Sequence, residues 1–394
     1  MRRLLVLTSA VVFLDTLFFS AIAPLLPHYA EEFGLTKGAA GVLAGAYPAG
    51  TLIAAVPAIY VARRIGVKGA LIVGLFLLAA SSVAFGLGDS IAVLDVSRFV
   101  QGASGALCWS GALAWLVASA PVDRRGGVIG TAMGMAVAGA LLGPVLGAAA
   151  EQFGDVLIFS LVAVAALGLA VWAATMPGHA GAAVIPDRRT LLRGLRDRSV
   201  RAGGWLNTLY GLGFGALSVL VPLRLASLGA SAAVVGLVFA LSAVGEMVAS
   251  PLAGRLADRG TRLSPVRAAL PGAALVFGLL PIPDAAWMVA VLLILSGPTV
   301  GSLAAPAGAM LSDAASALGI GQVIAVALSN VAWSAGEMAG AAGGGALAQV
   351  TADAVPYTLL CVACALTAVV LRPGTRTARA ADAARAGASA SARS

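Results

Sequence analysis

The sequence predicts an all-α membrane protein whose twelve transmembrane helices form two six-helix bundles. Three observations support this prediction: the composition, the number of long apolar runs and the places of the basic residues. Of the 394 residues, 60% are hydrophobic and only 11% are charged, whereas soluble domains carry about 25% charged residues. So few charged side chains cannot cover a water-soluble surface. The composition therefore argues against a soluble enzyme, a nucleic-acid-binding protein or a disordered protein.

The apolar runs divide the chain into membrane spans. A helix of about 20 apolar residues crosses the hydrocarbon core, and the chain contains twelve runs of roughly that length. These predicted spans, numbered 1 to 12 along the chain, cover residues 4–26, 39–62, 69–88, 91–119, 127–150, 156–175, 203–226, 232–254, 266–282, 286–312, 320–349 and 355–371. Span 1 contains Asp15, and the motif Pro24-Leu-Leu-Pro27 follows at its end in place of a small-residue cleavage site, so we expect a retained helix and not a signal peptide.

The basic residues indicate the orientation of the chain. All of the 25 lysines and arginines except Lys37, Arg98 and Arg224 lie near the termini or in the connections that follow even-numbered spans. The positive-inside rule therefore puts both termini in the cytoplasm. The net charge of +8 follows from this topology and does not indicate nucleic-acid binding. Scarce lysine beside abundant arginine and alanine is typical of a GC-rich bacterial genome, so we expect a multi-pass protein of the bacterial inner membrane.

A long polar segment separates two halves of six spans each. We expect residues 1–175 to form an N-terminal bundle, 176–202 a cytoplasmic linker with an amphipathic interfacial helix, and 203–371 a C-terminal bundle. Residues 372–394 are rich in alanine, serine, glycine and arginine, a composition that predicts a disordered cytoplasmic tail. Two repeated bundles of this kind typically enclose a ligand site at the bilayer midplane.

Short motifs in both halves carry a family resemblance. The loop after span 8 and the middle of span 4 read, respectively, Gly254-Arg-Leu-Ala-Asp258-Arg259 and Arg98-Phe-Val-Gln101-Gly102. Both resemble the major facilitator superfamily, in which a cytoplasmic signature loop and an Arg-x-x-Gln-Gly pattern occur at these places. The resemblance implies the major facilitator fold and a transport function.

Spans 5 and 1 narrow the resemblance to one branch of the superfamily. The small residues of span 5 that form a spaced pattern are Gly130, Gly139, Gly143, Pro144 and Gly147. This pattern is associated with the drug–proton antiporters, and span 1 around Asp15 is similar to that of vesicular monoamine transporters and bacterial multidrug transporters. The chain departs from the family at Arg63, where an acidic residue is usual, and it has Gly301 and Asn330 where monoamine transporters carry acids. The resemblance therefore implies drug efflux without monoamine specificity.

Asp15 lies about halfway along span 1. An ionised carboxylate at the bilayer centre costs about 2.5–3.5 kcal/mol by some estimates, so its side chain should face the bundle interior or water. Burial favours the neutral form, which makes proton uptake near neutral pH feasible. Phe18 and Phe19 give this face an aromatic character, which suits a proton site or a counter-ion for a lipophilic cation. The alternative is a structural hydrogen bond to a neighbouring helix.

Two further acids lie in the middle of spans of the second half. Glu246 in span 8 shares a face with serines, and Glu337 in span 11 shares a face with Asn330 and Trp333. The same desolvation argument makes each a candidate proton carrier, with Glu337 favoured because an aromatic ring and an amide accompany it. Either acid could instead be a structural partner of a polar group.

Span 4 carries a cation and an aromatic residue that could act beside these acids. Arg98 could favour the ionised form of a neighbouring acid in one conformation and release it in the other, or it could pair locally with Asp95. Tyr47 of span 2 and Trp109 of span 4 could line a cavity or simply pack.

The glycines of span 5 allow a close contact with a neighbouring helix, and Pro144 allows a hinge in span 5. The alternative is ordinary packing of small residues.

These features predict a proton-coupled secondary transporter that exports small lipophilic or cationic molecules by alternating access. The alternatives are a facilitator or proton symporter for a sugar, metabolite or siderophore, and a transport-dead ligand sensor. The predicted proton-coupling residues are Asp15, Glu337, Glu246 and Arg98, and the predicted substrate-binding residues are Asp15, Phe18, Phe19, Tyr47, Trp109, Asn330, Trp333 and Glu337. The predicted gating residues are Gln101, Gly102, Gly130, Gly139, Gly143, Pro144, Gly147, Gly254, Asp258 and Arg259.

We expect no cofactor, no metal site and no enzymatic activity. The sequence has no phosphate-binding glycine loop with a lysine, no catalytic triad and no cluster of metal ligands. Cys361 and Cys364 form a CxxC pair inside an apolar run, which predicts core packing and not zinc binding. The expected partners are a small-molecule substrate, protons and the lipid bilayer, with no nucleic acid, and we expect a monomer.

Overall fold

The computed structural model describes residues 1–120, 125–178, 194–259, 263–319 and 322–371. Within these ranges the chain is helical and contains no strand. The observed helices fall where the sequence predicts the spans, so the span numbers are kept.

Six spans lie before residue 176. Their helices are Arg2–Ser20 and Ile22–Glu32 (span 1), Lys37–Gly86 (spans 2 and 3), Ile91–Ser119 (span 4), Arg125–Phe153 (span 5) and Asp155–Thr175 (span 6). The stretch Lys37–Gly86 is two helices, because Gly66 breaks it with φ 79° and ψ 163°. Only glycine adopts this conformation without steric cost, so Gly66 sets the turn between spans 2 and 3.

The second half has the same sequence of spans with more interruptions. Its helices are Arg198–Ser227 (span 7), Ala232–Arg259 (span 8), Ser264–Leu279 (span 9), Ala286–Val300 and Ala304–Ala317 joined by the 3₁₀ turn Gly301–Leu303 (span 10), Gln322–Met338 and Gly344–Val350 joined by the π-helical turn Ala339–Gly343 (span 11), and Ala354–Val370 (span 12). Seven helical stretches of the described chain are long and apolar enough to cross a membrane, and one of them is the double span Lys37–Gly86. Ser264–Leu279 and Ala354–Val370 are apolar but shorter.

The chain forms two compact units. The first contains spans 1 to 6 together with residues 222–241, and the second contains the start of span 7, the rest of span 8 and spans 9 to 12. Each unit has its own buried apolar side chains, such as Leu71 and Trp115 in the first and Phe277 and Leu311 in the second.

Glycines bring span 5 into backbone contact with span 1 inside the first unit. A Cβ atom added at Gly139, Gly143 or Gly147 would lie closer than 3.0 Å to backbone or side-chain atoms of span 1. Real Cβ atoms do not approach that closely, so only glycine permits this helix pair. Gly130, at the other end of span 5, has no such neighbour within 4 Å. Three of the four spaced glycines therefore build the contact.

The second unit repeats this construction with spans 11 and 7. A Cβ atom added at Gly336 would meet the carbonyl of Thr208, and one added at Gly340 would meet the carbonyl of Leu212. In the first unit, Phe13 and Leu17 occupy the corresponding places. The spacing from Phe13 to Leu17 in the sequence equals the spacing from Thr208 to Leu212. The contacts thus define an internal repeat that relates individual residues of span 1 to residues of span 7.

Candidate functional site

Asp15 lies in the interior of the first unit. Its side chain is 0% exposed. Its Oδ2 atom accepts hydrogen bonds from the Tyr47 hydroxyl at 3.0 Å and from the Trp109 indole Nε1 at 3.0 Å. The Oδ1 atom has no hydrogen-bond partner among the described residues. Spans 1, 2 and 4 thus converge on one carboxyl group whose two hydrogen-bond donors are both neutral.

Two glycines of span 4 make room for this cluster. A Cβ atom added at Gly102 would collide with the backbone carbonyl of Tyr47, so Gly102 lets spans 2 and 4 touch. A Cβ atom added at Gly105 would lie 2.7 Å from the Tyr47 hydroxyl and 3.3 Å from the Asp15 Oδ2 atom. The absence of a side chain at Gly105 therefore leaves the space that the hydrogen bond between Tyr47 and Asp15 occupies.

Arg98 is buried next to the same cluster, with 1% of its side chain exposed. Its Nη1 donates to the Gln101 side-chain oxygen at 2.6 Å, and its Nη2 donates to the Phe19 carbonyl at 3.4 Å. The guanidinium carbon lies 5.3 Å from the centre of the Tyr47 ring, within the range of a cation–π contact. Tyr47 therefore contacts Arg98 through its ring and Asp15 through its hydroxyl.

Phe18 and Phe19 lie on different faces of span 1. The Phe19 ring lies 4.6 Å from the ring of Tyr47 and belongs to the cluster. The Phe18 ring packs 5.8 Å from Phe85 and 5.1 Å from Phe159. Consecutive helical residues point about 100° apart, so the two rings serve different neighbours. Phe18 thus packs among phenylalanines and lines a small cavity together with Arg98.

Glu246 forms a comparable pair in the second unit. Its Oε1 atom accepts a hydrogen bond of 2.8 Å from the Tyr210 hydroxyl of span 7. A Cβ atom added at Gly301 of span 10 would collide with the Glu246 side chain. Gly301 therefore opens the space in which this carboxyl group lies, as Gly105 does for the first pair.

Glu337 is also buried in the second unit, with 2% of its side chain exposed. Its backbone lies against Gly211 and Gly215 of span 7. Gly211 directly follows Tyr210, so the backbone of Glu337 lies close to Tyr210. Tyr210 thus donates a hydrogen bond to Glu246 and has the backbone of Glu337 nearby.

Aromatic rings extend the second cluster along spans 7 and 11. The Phe214 ring lies 6.4 Å from the ring of Tyr210 and 6.2 Å from the ring of Trp333. Asn330, one helical turn before Trp333, is exposed. The structure therefore brings Trp333 to the aromatic row and leaves Asn330 outside it.

Tyr210 was not among the site residues predicted from the sequence. The repeat that pairs Phe13 with Thr208 also pairs Asp15 with Tyr210. In the first unit span 1 supplies the acid and span 2 supplies the tyrosine, and in the second unit span 7 supplies the tyrosine and span 8 the acid. The internal repeat was the signal that could have identified Tyr210, but its register is visible only from the glycine contacts.

The predicted gating residues are only partly described. Gln101 is buried against Arg98, and Gly139, Gly143 and Gly147 lie in the contact between spans 5 and 1, with Pro144 in the same helix. Gly130 is outside that contact. The side-chain surroundings of Gly254, Asp258 and Arg259 lie outside the described part of the structure.

Comparison with known proteins decides the family. The family model of the Major Facilitator Superfamily matches residues 8–207 and again residues 204–394. The chain belongs to the major facilitator superfamily. The two matches cover nearly the whole chain and meet at the start of span 7, as expected for a repeated bundle. The predicted fold and the resemblance seen in the motifs are thus confirmed, and this superfamily member is a multi-pass membrane transporter and not an enzyme.

Two relatives in this superfamily match part of the chain. The MFS-type transporter ppzB of Metarhizium majus is 30% identical over 169 residues, which is 41% of this chain and 36% of that protein. The quinolone resistance protein NorA of Staphylococcus aureus is 27% identical over 136 residues, which is 34% of this chain and 35% of that protein. The matches thus span about a third of the length of these curated relatives.

Solved structures share the fold of this superfamily member at low sequence identity. A D-xylose–proton symporter superposes with a TM-score of 0.75 at 16% identity and covers 96% of this chain and 98% of its own. The human organic anion transporter MFSD10 superposes with a TM-score of 0.71 at 16% identity and covers 94% of this chain and 99% of its own. At these identities the likeness establishes the fold alone.

Proposed function

We propose that this transporter exports small lipophilic or cationic organic molecules in exchange for protons. The observation that carries the proposal is the Asp15 cluster, a fully buried carboxyl group bonded to the neutral donors Tyr47 and Trp109. The partial match to the quinolone resistance protein NorA supports the direction of transport and the class of cargo.

The chemistry of the Asp15 cluster fits a group that gains and loses a proton. A buried ionised carboxylate is costly unless it is paired or well bonded. Oδ1, which has no hydrogen-bond partner among the described residues, can hold a proton, while Oδ2 retains its bonds from Tyr47 and Trp109. When the proton leaves, a cationic molecule can replace it as the partner of the carboxylate. Proton and cation then compete for one group, which is the condition for exchange.

The second unit supplies further acids to the proposed mechanism. Glu246 accepts a hydrogen bond from Tyr210, and the backbone of Glu337 packs against Gly211, the residue after Tyr210. We propose that these acids also change protonation during the cycle, so that each unit carries at least one proton-binding group. Alternating access follows if protonation favours one of the two conformations and cargo favours the other.

We also propose the orientation that the basic residues predict. Both termini then lie in the cytoplasm of a bacterial cell, with residues 176–202 as a cytoplasmic linker between bundles formed by 1–175 and 203–371. A cysteine introduced at Ser394 should react with a membrane-impermeant reagent only after the membrane is opened, and reaction in intact cells would contradict this topology.

Transport by purified protein in proteoliposomes tests the proposed function. Movement of a fluorescent lipophilic cation should follow an imposed pH gradient in the antiport direction, and the dependence on the gradient should be lost in Asp15→Asn. Asp89→Asn is the matched control, because Asp89 is exposed in the connection between spans 3 and 4.

Each alternative activity gives a different result in this assay. A proton symporter would move its cargo in the same direction as the proton, and a facilitator would ignore the gradient. A transport-dead sensor would bind the cation without any flux. If the Asp89→Asn control behaves like wild type, any of these results would overturn the exchange mechanism.

A further inference from the structure

A surface groove runs between spans 9 and 12 in the second unit. It lies between the helices Ser264–Leu279 and Ala354–Val370 and has a volume of about 670 Å³. Four small residues in its lining are Ala274, Gly278, Ala365 and Ala368. Small side chains on both facing helices leave a space that larger residues would fill. The groove opens beside exposed apolar side chains, among them Leu275 at 62% exposure, so its wall faces the hydrocarbon region.

Among the described residues, a single cation, Arg267, lines the groove at one end. Arg267 lies in the first turn of span 9, and its Nε donates to the Leu371 carbonyl at 2.6 Å. Its Nη2 atom is buried and has no hydrogen-bond partner among the described residues. A guanidinium nitrogen without a partner is costly, and the planar guanidinium group suits a phosphate oxygen well. The first turn of a helix also favours a negative charge. This end of the groove therefore fits an anion.

We propose that the groove binds an anionic phospholipid, with its phosphate at Arg267 and one acyl chain along the apolar wall. The lining residues run from Arg267 to Leu279 on span 9. Twelve helical residues extend about 18 Å. One leaflet of a hydrocarbon core is about 15 Å thick, half of the full core. An acyl chain that lies parallel to span 9 thus matches the length of the groove.

The lengths and charges near the groove favour a lipid with a negative headgroup. Span 9 has 16 helical residues and span 12 has 17, which is fewer than the roughly 20 needed to cross the core. Short spans draw the headgroup layer inward, and this brings phosphates toward Arg267. The neighbouring sequence adds Arg255, Arg262 and Arg372 at the predicted cytoplasmic side. Basic groups at this side of a membrane attract anionic lipids.

The tail of the chain is the competing occupant. It begins after Leu371, next to the Arg267 end of the groove. Residues 372–394 carry five arginines against one aspartate, and their apolar residues are almost all alanines. A cationic and weakly apolar segment does not match a groove that has a cation at its entrance and an apolar wall. The phospholipid matches both features.

Native mass spectrometry of the full chain in detergent tests the proposal. With phosphatidylglycerol and phosphatidylcholine added in equal amounts, wild-type protein should retain about five times as much phosphatidylglycerol as phosphatidylcholine. This is the preference expected of one arginine near the membrane surface. Arg267→Gln should lose that preference. Arg201→Gln is the matched control, because Arg201 is an exposed arginine in the first turn of span 7 and does not line the groove. An unchanged preference in Arg267→Gln would overturn the proposal.

Cys361 gives a second, site-specific readout because it lines the groove, whereas Cys108 and Cys364 are buried. Added phosphatidylglycerol should slow maleimide labelling of Cys361 several-fold in wild type and in Arg201→Gln, but not in Arg267→Gln. Ala365→Leu should fill the groove and reduce lipid retention with the arginine still present.

Three results would contradict the lipid proposal in this second assay. Protection of Cys361 by water-soluble glycerol phosphate equal to that by the lipid would indicate a plain phosphate site. If Cys361 is protected from maleimide before lipid is added, and is also protected in Arg267→Gln, the tail would be the occupant of the groove. Full lipid retention in Ala365→Leu would put the lipid elsewhere on the protein.

Discussion

The side chains around Asp15 determine the chemistry of the proposed exchange. The Asp15 carboxyl group accepts hydrogen bonds from two neutral groups, the Tyr47 hydroxyl and the Trp109 indole, each 3.0 Å from Oδ2. Tyr47 also contacts the Arg98 guanidinium through its ring. The chemistry of the proposed exchange therefore belongs to Asp15, while Tyr47 is a positioning residue that links the acid to a buried cation.

Removal of the Tyr47 hydroxyl should weaken exchange without loss of fold. A hydrogen bond to a charged group contributes about 1.5–3 kcal/mol, so Tyr47→Phe should slow proton-driven efflux by about tenfold or more. The ring and its contacts with Phe19 and Arg98 remain. Tyr60→Phe serves as control because Tyr60 is 59% exposed. Equal efflux rates in the two variants would argue against a role for the hydroxyl group.

A methyl group at Gly105 should have the same effect by a different route. The added Cβ would lie 2.7 Å from the Tyr47 hydroxyl, so Gly105→Ala should push that hydroxyl away from Asp15 and slow efflux to a similar degree. Efflux by the double variant Gly105→Ala with Tyr47→Phe should be no slower than efflux by either single variant. The Tyr47 hydroxyl that Gly105→Ala displaces is absent in Tyr47→Phe. Additive losses in this double-mutant cycle would show that Gly105 acts elsewhere.

In each unit, two helices pack closely against each other through glycines. Span 5 meets span 1 through Gly139, Gly143 and Gly147, and span 11 meets span 7 through Gly336 and Gly340. In a bilayer, apolar burial does not hold helices together, so close packing of backbones takes that part. The helix that carries Asp15 therefore packs directly against the backbone of span 5 at these three glycines.

The two ends of span 5 should respond differently to the same substitution. Gly147→Ala should lower stability by about 1–3 kcal/mol, because overpacking forces two backbones apart. Gly130→Ala should be neutral or slightly stabilising, because nothing lies within 4 Å and alanine favours a helix. Thermal unfolding in detergent measures both. A Gly130→Ala variant that unfolds as early as Gly147→Ala would show that the spaced glycines act as one set.

The sequence predicted the spans because their signal is local, whereas the site depends on contacts between distant residues. Apolar runs located the helices, and the turn at Gly66 fell between predicted spans 2 and 3. The turns within spans 10 and 11 were not predicted, since alanine and glycine continue the apolar run there. The partners of Asp15 come from spans 2 and 4, and helical spacing cannot choose among aromatic residues on other helices.

At the scale of the whole molecule, the two units use the same pair of groups in exchanged places. Asp15 and Tyr210 are equivalent residues of the repeat, yet one is an acid and the other donates to an acid. The residue after Tyr210, Gly211, also packs against the backbone of Glu337. The repeat thus preserves an acid–tyrosine pair in each unit while the helix that carries the acid changes.

Variants of the second pair should show whether both units take part in exchange. Tyr210→Phe removes the donor to Glu246 and should slow efflux about as much as Glu246→Gln, again by roughly tenfold. Initial rates in proteoliposomes at a fixed pH gradient provide the measurement, with Tyr60→Phe as control. Normal efflux in both variants would confine proton exchange to the Asp15 unit and Glu337.

The competition of proton and cargo for Asp15 is tested most directly by proton release on binding. Purified wild-type protein in a weakly buffered solution should release protons when a lipophilic cation is added, in proportion to the sites filled. Asp15→Asn should release fewer protons at the same occupancy, and Asp89→Asn should match wild type. Cation binding that releases no proton from wild type, or that releases the same amount from Asp15→Asn, would contradict exchange at this carboxyl group.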